Sequence, residues 1–88
     1  MIIITNRSLP WFYPQVLSLP AQAEILNISG DESTIKLLVK ANFYSMDTVQ
    51  YELVLVAIGV PTEDTRVGKY IGMLNRGQGT YCAFIREM

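Results

Sequence analysis

Residues 34–43, TIKLLVKANF, place the tightest limit on the fold. Ile35, Leu37, Val39, Ala41 and Phe43 alternate with Thr34, Lys36, Leu38, Lys40 and Asn42. Successive side chains of an extended chain point to opposite sides, so this period of two describes a strand with one face buried and the other in water. Upstream, AEILNI leads into SGDES, a Gly/Asp/Ser cluster that reads as a hairpin turn. Downstream, VQYELVLVAIGV is apolar on both faces from Leu53 onward, the pattern of a central strand covered on both sides.

The last third repeats the theme. KYIGML and TYCAFIRE read as two strands of a hairpin joined by NRGQG, where Gly77 and Gly79 can take positive φ. Gly68 and Gly72 suggest a bulge or sharp bend that curls the sheet. Pro61, which lacks an amide proton, ends the central strand ahead of a polar loop, PTEDT. MIIIT supplies a first strand, and LPAQAEILNI fits a helix about as well as a strand. The expectation is one all-β domain over residues 1–88. Five or six short strands form a small barrel or rolled antiparallel sheet, which in size and strand count resembles SH3-like and OB-like barrels.

With 88 residues, half of them apolar and 17% charged, the chain can bury one modest core without staples. That apolar share is high for a small monomer, so part of it is expected to face a partner or a second copy. The one cysteine, Cys82, rules out an internal disulfide and fits a cytoplasmic setting. The N-terminal run lacks the basic region of a signal peptide, and the longest apolar run is far short of the roughly twenty residues a membrane helix needs. No membrane association is expected.

Catalytic chemistry is sparse. Without histidine the commonest general base, metal ligand and triad member are all missing. Cys82 sits in an apolar strand with no histidine to activate it. The carboxylate pairs Asp31–Glu32 and Glu63–Asp64 lack the alternate spacing of a calcium loop and read as solvated turns. The GQG of the final hairpin is too short for a phosphate loop. Neither enzyme, cofactor nor metal site is expected.

Two regions stand out as binding candidates. The net charge of −1 hides an asymmetry: residues 24–64 hold seven acids against Lys36 and Lys40, while residues 66–86 hold Arg66, Lys69, Arg76 and Arg86 and no acid. Interleaved with Tyr70 and Tyr81, these cations could meet phosphates while the rings stack on bases of single-stranded nucleic acid. The second region, residues 9–20, is an uncharged, proline-punctuated arm containing three consecutive rings, Trp11, Phe12 and Tyr13, with Leu17 beyond. In an extended segment Trp11 and Tyr13 share one side and Phe12 takes the other, so one of the two sets is buried and the other displayed. Aromatic anchors favour protein interfaces. The leading expectation is a non-enzymatic interaction module, acting as a homo-oligomer, an accessory subunit or an inhibitor of a larger assembly. Nucleic-acid binding by the basic hairpin is the alternative.

Overall fold

The computed structural model describes residues 1–12, 14–59 and 68–88. They form seven antiparallel strands: β1 (Ile3–Pro10), β2 (Gln15–Pro20), β3 (Glu24–Gly30), β4 (Thr34–Ala41), β5 (Thr48–Ala57), β6 (Lys69–Arg76) and β7 (Gly79–Glu87). They divide into two open sheets, one ordered β1-β4-β3 and the other β2-β5-β7-β6.

The alternation in residues 34–43 explains the first sheet. Ile35, Leu37, Val39 and Ala41 are each at most 2% exposed, whereas Lys36 and Lys40 lie in solvent. Facing them across the core are Leu17 and Leu19 of β2, Leu53 and Leu55 of β5, Leu74 of β6, and Ala83 and Ile85 of β7. Each large side chain buried in this way contributes on the order of 1.5–3 kcal/mol. β5 is the central strand its composition predicts: Leu53 points into the core, and Val54 on the opposite side is only 3% exposed.

Local chemistry sets the turns. Asp31 caps the β3–β4 hairpin, its Oδ1 accepting from the backbone N–H groups of Ser33 (2.9 Å) and Thr34 (2.8 Å). These bonds favour the charged carboxylate and hold its pKa down to about 2. The β6–β7 turn needs Gly77, whose φ is +58°. A bulge between Tyr70 and Gly72 bends β6, and Gly72 adopts φ +144° with β3 so close that a Cβ there would come within 2.7 Å of Ile28 Cγ2.

Two expectations need correction, and one open choice is settled. No barrel closes among the described residues, because no hydrogen-bonded ladder joins β3 to β6 or β1 to β2. The neighbouring strands β3 and β6 are both bulged, which breaks the regular spacing of N–H and C=O groups that a ladder requires. There are seven strands rather than five or six, since the expected arm at residues 9–20 contains the end of β1, a short crossover and all of β2. Its prolines at 14 and 20 resemble the punctuation of a loop, but β2 is an edge strand and Pro20 is its last residue, where a missing N–H is tolerated. Residues 24–30 resolve as strand, not helix. Pro61 and the PTEDT loop lie outside the described residues.

Candidate functional site

The crossover from β1 to β2 carries the rings. Gln15, only 6% exposed, donates through Nε2 to the backbone oxygens of Pro10 (3.0 Å) and Phe12 (2.8 Å), tying the crossover to the start of β2. This arrangement turns Trp11 inward and Phe12 outward, the latter 55% exposed. Tyr13 lies outside the described residues. Leu17 alternates with exposed Val16 and is buried in the core, so its side chain is not on display as a partner-binding residue. The reason is strand period: once β2 pairs with β5, Leu17 shares a face with Tyr51 and Val16 with Glu52.

Trp11 ties three segments together. Its indole N–H donates to the backbone oxygen of Asp31 in the β3–β4 turn. Its ring lies 5.8 Å from that of Tyr81, tilted at 56°, and the Arg76 guanidinium sits 5.1 Å from the ring centroid. Arg76 in turn donates through Nε to the backbone oxygen of Glu32 (3.1 Å). Sequence reasoning placed Trp11 in one candidate region and Arg76 with Tyr81 in another, yet the fold brings them into one cluster at the end of the two sheets.

The remaining basic residues do not converge on that cluster. Lys69 and Arg76 begin and end β6, roughly 23 Å apart at the rise of an extended strand. Arg86 makes an ion pair through Nε with Oε1 of Glu52 at 3.0 Å. Tyr70 stands beside Phe84, ring centroids 5.7 Å apart, on the outer face of β2-β5-β7-β6. Arg66 lies outside the described residues.

That outer face was not recognisable as one surface in the sequence, because its members come from four strands. The register stacks them in rows: Val16, Glu52 and Arg86; then Val54, Phe84 and Tyr70; then Val56, Cys82 and Met73. Within these rows the only charges are Glu52 and Arg86, which neutralise one another. Val16, Tyr70 and Met73 are 52–56% exposed. The outer face of β1-β4-β3 carries more charge, with Ser8, Lys36 and Ser29 in one row, Asn6, Leu38 and Asn27 in the next, and Ile4, Lys40 and Glu24 in a third.

Between the sheets, a cleft of about 160 Å³ opens at the end where β2 turns into β3, walled by Leu19, Ile25, Ile71 and Ile85 with Glu24 and Lys69 also lining it. It is smaller than the roughly 300–1,000 Å³ typical of ligand pockets. Among the described residues, no group of three or more Cys, Asp or Glu side chains is placed to hold a metal ion. No protein-family model, curated protein or solved structure matches the chain.

Proposed function

We propose that this chain is a non-enzymatic protein–protein interaction module, an accessory subunit or inhibitor of a larger assembly, that binds through the outer face of β2-β5-β7-β6. The supporting observation is the contrast between the two outer faces. One carries Val16, Val54, Val56, Phe84, Tyr70 and Met73 with the Glu52–Arg86 ion pair; the other carries Lys36, Lys40, Glu24, Ser8 and Ser29 interspersed with Ile4 and Leu38. Val16, Tyr70 and Met73 are each more than half exposed on this face, and apolar side chains of this kind, aromatic and methionine included, are costly to leave in water and enriched at interfaces. The paucity of acid–base chemistry in the chain argues in the same direction. Nucleic-acid binding draws less support, since Arg76 is engaged with Trp11, Arg86 with Glu52, and Lys69 stands at the far end of β6.

The test is co-isolation with two surface variants. Tyr70→Lys combined with Met73→Lys should lose the proteins that accompany the wild type. Lys36→Glu combined with Lys40→Glu should retain them. Retention by the first variant, or equal loss from both, would refute the assignment of this face.

A further inference from the structure

Two open sheets expose strand edges, each a row of unpaired N–H and C=O groups able to accept another strand. Three of the four edges here carry a device against such pairing. β3 and β6 are bulged and press against one another, Ile28 lying beside Gly72. β2 has only six residues, ends in Pro20 and follows Pro14. β1 differs. It runs eight residues in unbroken register with β4, from Ile3 opposite Ala41 to Pro10 opposite Thr34.

The protection of β1 is confined to one half. Pro10 closes its far end, and Arg7 occupies the inward side, opposite Leu37, where pairing another strand alongside would bury its charge. Residues 2–6, Ile-Ile-Ile-Thr-Asn, hold no charge, proline or glycine, and four of the five are β-branched. On the outer side of this half, Ile2 is 61% and Ile4 56% exposed.

We infer that the N-terminal half of β1 pairs antiparallel with the same segment of a second copy of this chain, with Ile4 on the two-fold axis. A two-fold that pairs antiparallel edges stands normal to the sheet and keeps inner faces with inner faces, so only residues of the same face can oppose one another. Centring on Ile4 sets it against Ile4 of the second copy, Ile3 against Thr5, and Ile2 against Asn6. Arg7 stays at the margin. Centring on Arg7 would set two guanidinium groups face to face and is disfavoured.

The charges suit this occupant. β4 places Lys40 beside Ile4, and β3 places Glu24 beside Lys40. The row through the axis therefore runs glutamate, lysine, isoleucine and then the same in reverse, without net charge. The two lysines stand three strand spacings apart, about 14 Å, beyond the screening length of about 8 Å at physiological salt. The product is a continuous six-stranded sheet, β3-β4-β1-β1-β4-β3. Both four-stranded sheets then lie on the same side of it, with their apolar outer faces directed the same way. Self-pairing uses the β1 edge and leaves that face uncovered, so it stands or falls separately from the proposed partner surface.

Sedimentation velocity across a dilution series tests the pairing directly. The wild type should approach twice the chain mass at high concentration. Ile4→Lys, at an exposed position that leaves the fold intact, should raise the dimer dissociation constant by about tenfold or more. In a Cys82→Ala background, Ile4→Cys should oxidise to a covalent dimer, while Ser8→Cys should remain largely monomeric. A wild type that stays at monomer mass, a dimer indifferent to Ile4→Lys, or equal cross-linking at positions 4 and 8 would each overturn the inference.

Discussion

β4 and β5 are the central strands of their respective sheets, and they treat their two faces differently. β4 buries Ile35, Leu37, Val39 and Ala41 and gives Lys36 and Lys40 to water. β5 buries Leu53 and Leu55 on one side and Glu52 and Val54 on the other, each at most 6% exposed. The outer side of β4 gives its lysines to solvent; both sides of β5 are buried, the outer one around the Glu52–Arg86 ion pair. A sheet that needed only to enclose a core would resemble the first. The second is buried on both sides of β5, and it displays Val16, Tyr70 and Met73 on the strands that flank the middle of that outer face, which is the physical basis for proposing a partner there.

Substitutions can break or sharpen that contrast. The largest effects should come from residues shared by both sheets: Leu53→Ala and Leu37→Ala each remove a fully buried side chain and should destabilise by about 2–5 kcal/mol in denaturant unfolding. Trp11→Ala should follow at roughly 2–3 kcal/mol, because it loses the Tyr81 contact, the Arg76 contact and the indole hydrogen bond to Asp31. A Trp11→Ala protein as stable as wild type would place that ring outside the fold's own packing.

Outward substitutions separate the sheets most sharply. Val54→Ala on β5 should cost about 1–2 kcal/mol although it points away from the core between the sheets, whereas Lys36→Ala on β4 should stay within about 0.5 kcal/mol of wild type. Equal small effects at both positions would erase the distinction. Arg86→Met removes a cation from the largely buried Glu52 carboxylate and should cost about 1–3 kcal/mol at neutral pH.

The smallest effect is a pH dependence in the polar sheet. Asp31 has its pKa lowered from 3.8 to about 2, chiefly by the backbone N–H groups of Ser33 and Thr34. A depressed native pKa means the unfolded chain takes up the proton first as pH falls. Its stabilisation is therefore full above pH 4 and lost on descending through about pH 2. Thermal melts of wild type and Asp31→Asn should differ slightly at pH 6 and converge towards pH 2; a difference that persists unchanged at pH 2 would remove the carboxylate from the cause.

Much of the fold was legible because alternation is a local signal. β4, β5 and the β6–β7 hairpin can be read from TIKLLVKANF, VQYELVLVAI and the glycines of NRGQG, each within a dozen residues. β2 was hidden because Pro14 and Pro20 bracket it as they would a loop, and only an edge position makes those prolines acceptable in a strand. Barrel closure was a matter of long-range geometry, decided by a bulge at Ile71, which Gly72 signals, together with one at Leu26 that no local pattern announces. The candidate site was less legible still. Of the arm residues expected on a surface, Phe12 is exposed, Leu17 is buried and Trp11 is packed against Tyr81. The apolar outer face draws Val16, Val54, Tyr70, Met73 and Phe84 from four strands, and only the register makes them neighbours.

The most direct measurement installs a photo-reactive side chain at position 73 on the apolar outer face and, separately, at position 36 on the polar one. Irradiation would follow in an extract of the cell that makes the protein. A partner surface on the four-stranded sheet predicts a discrete cross-linked protein from position 73 that is competed by unlabelled wild type and is missing from position 36. Cross-links of equal yield from both positions, or none from position 73, would contradict it.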